Sequence, residues 1–474
     1  MRGVMSIAGN RQYRGSMKIA LLTTFLSFML PLVEVDGGCS QDDVEAVDEA
    51  VEAGAEAEGD RKIGAEDIEA AVHEALGILL ARQEGSDSAE WPYQGVYRVR
   101  AEADDPDSLI EGRGRRRTVI PIGYRVGGTS IAGRAVMRPP GLQADQARRD
   151  ALERARRFVV GATSHPRMTP DFGGGYDVRG WGYIYALGFL LEMRERGLVD
   201  EANVVATDEA IRFYIDALDQ IEIPEVGGWN YARRGPLNRP DATSPFMTPP
   251  GIQALREAAR QGFVVPEGMV ERAMGGLELT RGEDGYVAYA ARRKTTDPPS
   301  QIPGAIGRMA AVVTVRSEMG RSEPGEIQTA CKAFFEYWNE LLKRKEKSGT
   351  HQPPYGVAPY YFMFAHGYLA EAIEQLPEAE REDQRQRLRA LLMSVRDEAG
   401  GWNDRVFDRS TAYGTAIAIL ALTQPAESVR ERGNPGPPTS PPEPKKPGTD
   451  IETDLEPGPE KGTEEEAGQS DPDS

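Results

Sequence analysis

The chain has two cysteines and four histidines in 474 residues. Two cysteines exclude a disulfide framework. The histidines, His73, His165, His351 and His366, are scattered and lack metal-ligand spacing, so neither a metal nor another cofactor is expected. Basic clusters are equally scarce, and no nucleic-acid partner is expected without one. Long apolar runs are few. The stretch Met17–Val33, "MKIALLTTFLSFMLPLV", holds about 15 mostly apolar residues, short of the roughly 20 needed to span a bilayer. With a lysine before it and small residues after it, this stretch reads as a signal peptide, residues 1–38, with Met17 the expected start. Export to the periplasm, the cell envelope or the medium follows as an expectation.

"GGC" at 37–39 has the form of a lipoprotein cleavage site, which makes Cys39 the candidate for lipidation. Asp36 stands where a leucine-like residue is usual, and ordinary signal-peptidase cleavage near Gly37 is the alternative. Membrane association is therefore expected only through the signal peptide or a lipid anchor. Cys331, in "IQTACKAFFEYW", reads as a small buried residue of a helix.

The formal charge of −19 is unevenly spread. Residues 40–70 carry 12 acids against 2 bases, and residues 426–474 carry 13 against 5, so the middle of the chain is close to neutral. Residues 39–64 and 426–474 lack the apolar content to fold and read as acidic, disordered segments.

What the sequence has in abundance is a repeated unit between about 65 and 425. Each copy has an amphipathic helix, a corner with glycine and an aromatic residue, then a helix apolar nearly all round. The third copy runs "TDEAIRFYIDALDQI", "GGWNYARRG", "TPPGIQALREAARQG"; the sixth runs "REDQRQRLRALLMSV", "GGWNDRVFDRS", "AYGTAIAILALTQ". A helix with one apolar stripe lies on the outside, and one apolar on all sides must be enclosed. Open solenoids need polar end caps. Here the first inner segment, Gly127–Met137, and the last, Tyr413–Thr423, are as apolar as the rest. The pattern predicts closure: an all-α (α/α)6 toroid, 65–425, with six inner and six outer helices.

The corners "RQEGSDSAEWPYQG", "GGWNYARRG" before "TPPGIQALREA", and "AGGWNDRVFDRSTAYGTAIAILALTQ" resemble those of the squalene cyclase, terpenoid cyclase and protein prenyltransferase β-subunit superfamily. The resemblance implies the toroid. It does not imply the superfamily's activities, because the catalytic signatures are missing: no Asp-x-Asp-Asp acid, no Asp two residues before Cys331, and no thioester "GCGEQ".

Candidate chemistry lies in the loops before the inner helices, whose N-termini favour anions. Asp177 and Asp408 form a candidate catalytic carboxylate pair of glycosidase type, if they face each other. Arg179, Trp181, Tyr360, Tyr361, His366, Arg409 and Tyr413 are the candidate ligand-binding residues; aromatic faces suit a sugar or a prenyl chain. Each has a structural alternative. Asp177 and Asp408 also sit where helix N-caps belong, the arginines can pair with them, and His366 lies within an apolar helix. Three functions remain open: non-catalytic binding of a ligand or partner through the cavity or rim, with an apolar molecule or a glycan as the ligand; an enzyme acting on an isoprenoid or a polysaccharide as cyclase, lyase or hydrolase; and a cell-envelope structural module tethered through Cys39.

Overall fold

The computed structural model describes residues 62–171, 178–230, 237–282, 285–290, 302–345, 347, 355–356 and 362–424. Among these, twelve helices follow one another: α1 Ala65–Ala81, α2 Ile122–Met137, α3 Gln146–Gly161, α4 Arg179–Glu195, α5 Glu201–Gln220, α6 Thr248–Arg260, α7 Met269–Glu278, α8 Ile302–Glu318, α9 Glu326–Lys345, α10 Phe362–Ile373, α11 Glu378–Ser394 and α12 Ser410–Leu422.

The even-numbered helices form the inner layer. Each packs on the next, α2 on α4, α4 on α6, α6 on α8, α8 on α10 and α10 on α12, and α12 packs back on α2. The odd-numbered helices cover them from outside: α3 lies on α2, α5 on α4, α7 on α6, α11 on α10, while α9 bridges α8 and α10, and α1 spans α12 and α2. The packing order therefore returns to its start, as the apolar terminal segments predict.

Burial follows the two helix types. In α5, Ile211, Ile215 and Leu218 are buried while Asp216 and Asp219 face solvent. In α2, every described residue but Arg134 is buried. This helix starts at Ile122, five residues before the Gly127 start read from the sequence. Its first turn is "IGYRV", where a tyrosine and an arginine mask the apolar signal.

The tryptophan corners are the joints of the repeat. The indole N–H of Trp91, Trp229 and Trp402 donates to the carbonyls of Leu79, Leu218 and Leu392, at 2.6, 2.9 and 2.6 Å, near the end of each outer helix. Each Trp backbone N–H donates to a threonine on the following inner helix, Thr129, Thr248 or Thr415, at 2.9 to 3.1 Å. One residue thus bonds a carbonyl in the last turn of the outer helix and ties outer helix to inner helix. Gly227, Gly228 and Gly400 adopt positive φ of 84°, 73° and 86° at these corners. They do so several residues beyond the helix ends rather than as C-caps.

Residues 95–120 carry a three-stranded antiparallel sheet in the order β1–β3–β2, with β1 Val99–Arg100, β2 Ile110–Glu111 and β3 Thr118–Val119. Val119 sits opposite both Val99 and Ile110. Arg125 of α2 anchors this insertion through buried ion pairs to Glu90 (2.7 Å) and Asp105 (3.0 Å).

Candidate functional site

The two ends of the inner helices differ. Near the N-terminal ends of α2, α4 and α12 the interior is filled by rings. Tyr93, Tyr124, Trp181 and Tyr413 pack together with centroid separations of 4.8 to 6.2 Å. Asp404, wholly buried, lies beside them: its carboxylate accepts from the Tyr93 hydroxyl at 3.1 Å and from the Met363 amide at 2.9 Å. Burial pushes its carboxyl up to about 6 although both hydrogen bonds and Arg405 oppose the shift.

At the C-terminal ends of the inner helices lies an open cavity of about 500 Å³. All six inner helices or the residues just after them contribute to its wall. It continues into a smaller recess of about 70 Å³ with an apolar floor that includes Ile131, Phe364 and Ile417. The wall is charged, with three arginines (Arg134, Arg138, Arg256) and five glutamates (Glu192, Glu195, Glu257, Glu318, Glu371).

On the α2–α4 side, Glu192 takes Arg134 at 2.9 Å, Arg138 at 3.2 Å and Arg196 at 3.1 Å. Burial would raise this carboxyl, but Arg138, Arg134 and Arg196 outweigh it and hold it down to about 2. Across the cavity, Gln253 of α6 is the hub. Its amide nitrogen donates to Glu318 at 3.1 Å and to Glu371 at 2.8 Å, and its carbonyl accepts from the Tyr368 hydroxyl at 3.0 Å. Arg256 pairs with Glu318 at 3.4 Å. Tyr185 stands between the two ends: its ring packs on Trp181 at 5.1 Å, and it lines both cavity and recess.

The residues singled out from the sequence fall elsewhere. Asp408 does not enter the cavity. Its side chain is 81% exposed and pairs with Arg82 at 3.1 Å, because it sits in the turn before α12, beside the end of α1. Asp177, the other half of the expected pair, lies outside the described residues, as do Tyr360, Tyr361 and Cys39. Arg409 binds Glu84 at 2.6 and 3.0 Å and the Ser108 carbonyl at 3.0 Å, which commits it to the seam between the last repeat and the first. Arg179 is buried and donates to the Thr169 carbonyl.

His366 is a core residue rather than a ligand group. Nε2 accepts from the Trp338 indole at 2.9 Å, and Nδ1 lies 2.7 Å from the Phe362 carbonyl. Its burial lowers the imidazole to about 4 against the opposing pull of that carbonyl. Trp181 and Tyr413 are buried in the ring cluster, and Cys331 is buried with its thiol pushed up to about 12.

The cavity residues Arg134, Tyr185, Glu192, Gln253, Glu318 and Glu371 were not among the sequence candidates. Their signal was present: a polar or charged residue inside an otherwise enclosed helix, most of them in its C-terminal half.

No protein-family model matches the chain, and no curated protein is similar to it. Among solved structures, an unsaturated glucuronyl hydrolase from Streptococcus agalactiae is 14% identical, with 77% of this chain and 92% of that one covered and a TM-score of 0.48. A possible member of the GH105 family from Klebsiella pneumoniae is 13% identical over 78% and 95%, with a TM-score of 0.47. A type II terpene cyclase from Scytonema is 13% identical over 75% and 97%, with a TM-score of 0.43. These α/α toroid proteins resemble the chain at low identity.

Proposed function

We propose that this protein takes a saccharide into the cavity at the C-terminal ends of its inner helices. The observation that carries the reading is the Gln253 hub, which lines both cavity and recess and gathers Glu318, Glu371 and the Tyr368 hydroxyl around one amide. Hydroxyl-rich ligands are held by such convergent carboxylate, amide and tyrosine groups beside an aromatic face. The charged wall favours a sugar over an isoprenoid, whose chain would desolvate those groups without pairing them.

The test is calorimetry of the purified chain against a panel of neutral and amino oligosaccharides, repeated with Gln253→Leu. Binding by the wild type and its loss in a folded Gln253→Leu variant are expected. A panel that gives no heat, or a variant that binds as well as the wild type, would count against the reading.

A catalytic reading has one observation in its favour. Glu318 and Glu371 flank a single amide nitrogen, and two carboxylates close together are the equipment of glycoside hydrolysis. Release of reducing ends from a bound oligosaccharide, abolished in both Glu318→Gln and Glu371→Gln, would support it. Export through the Met17–Val33 segment belongs to the same proposal, and mass spectrometry of the mature N-terminus tests it together with lipidation at Cys39.

A further inference from the structure

The charges on the cavity wall are paired unevenly. Glu192 is matched by three arginines, Glu195 and Glu257 share Arg260, and Glu318 has Arg256. Glu371 is different. Among the described residues no cationic group lies within ion-pair distance of it, and the one hydrogen bond it accepts is from the neutral Gln253 amide at 2.8 Å. Arg134 is within electrostatic reach, but its guanidinium is engaged by Glu192 at 2.9 Å. A carboxylate has about four acceptor positions, so Glu371 keeps most of its capacity for a ligand.

Two further features point the same way. Tyr185 is only 8% exposed, no described residue hydrogen-bonds its hydroxyl, and the side chain lines both the cavity and the recess. Such a hydroxyl keeps its donor and acceptor capacity for a ligand in the cavity. Tyr368, which also lines the recess, supplies a second aromatic ring.

We infer that the cavity selects a ligand carrying a protonated amine, with Glu371 as its counter-ion, Tyr185 and Tyr368 as aromatic faces, and the Tyr185 hydroxyl bonded to a neighbouring ligand oxygen. An ammonium fits where a carboxylate without an ion-pair partner and π-faces coincide. Phosphorylated or carboxylated ligands would meet repulsion from Glu371. This inference rests on the saccharide reading and narrows it to amino sugars with a free amine.

The test is calorimetry of the full chain with a glucosamine trisaccharide and with its fully N-acetylated counterpart, at a pH where the free amines are protonated. The glucosamine form should bind about tenfold more tightly, the order expected of one partly desolvated charge pair with a ring. Glu371→Gln should bring its affinity to that of the acetylated form, while Tyr185→Phe should weaken both by a few-fold. Melting temperatures close to the wild type establish that the variants are folded. Equal affinity of the wild type for the two trisaccharides, or a preference that survives in folded Glu371→Gln, overturns the inference and leaves the saccharide reading standing. Failure of every saccharide to bind overturns both.

Discussion

Tyr93 of the first repeat donates its hydroxyl to Asp404 of the last, at 3.1 Å, across a sequence separation of 311 residues. The same carboxylate receives the Met363 amide of the fifth repeat at 2.9 Å. One buried acid thus ties three repeats together where the ring closes. Arg409 to Glu84, and Arg82 to Asp408, reinforce that seam nearer the surface.

Asp404 makes closure pH-dependent in a direction opposite to most carboxylates. Its value of about 6 lies above the ordinary 3.8, so the folded state holds the proton more tightly than the unfolded chain. The stabilising contribution is complete below pH 3.8 and is lost as pH rises through 6. Roughly two pKa units correspond to about 3 kcal/mol. Asp404→Asn keeps an acceptor for Met363 and can donate to the Tyr93 oxygen, while it removes the buried charge. The stability of the wild type minus that of the variant, from urea unfolding at several pH values, should therefore fall by about 2 kcal/mol between pH 4 and pH 7. A difference that rises with pH would show that the proton is not held as described.

His366 works the other way. Its folded value of about 4 lies below the ordinary 6.5, so its contribution is present above pH 6.5 and disappears as pH falls through 4. Protonation would set an Nε2 proton against the Trp338 N–H. In Asp404→Asn, stability should drop by about 3 kcal/mol on acidification from pH 7 to pH 4 if this imidazole dominates. In the wild type the two residues oppose each other, and the profile over that range should be flatter.

The three tryptophan corners predict equal penalties. Trp91→Phe, Trp229→Phe and Trp402→Phe each remove an indole N–H from a leucine carbonyl and leave a small void. Each should cost about 2 kcal/mol, and Trp→Ala at any of them about 3–5 kcal/mol. Denaturant midpoints of the six variants check this. A corner whose Phe variant costs nothing has no joint of the kind described.

Glycines separate close approach from mere permissiveness. A Cβ on Gly414 would stand 2.4 Å from the Trp402 carbonyl oxygen and 2.7 Å from the Asp404 nitrogen, both backbone atoms. Gly414→Ala should therefore destabilise by about 1–3 kcal/mol. Gly275, inside α7, has nothing within 4 Å of the same position, and Gly275→Ala should stabilise by up to about 1 kcal/mol through helix propensity. Thermal melts of the pair give opposite shifts if the packing is as described.

Hydrophobic periodicity and the repeated corner made the architecture legible from the residues alone. One-sided helices such as α5 must lie outside and enclosed helices such as α12 inside, because burial of apolar surface leaves no other arrangement. Terminal repeats without polar faces then have to meet. Local sequence also placed Trp229 and Trp402 at equivalent joints. It did not reveal where the polar side chains converge. Asp408 and Asp404 stand four residues apart in one loop, yet one faces water and the other lies buried between three repeats, since only the packed neighbours Arg82, Tyr93 and Met363 distinguish them. Gln253, Glu318 and Glu371 are 53 to 118 residues apart in the chain and meet only because α6, α8 and α10 are neighbours in the ring. Period and composition fix which face of a helix is buried; the partner of a buried polar group is set by the closure of the whole ring.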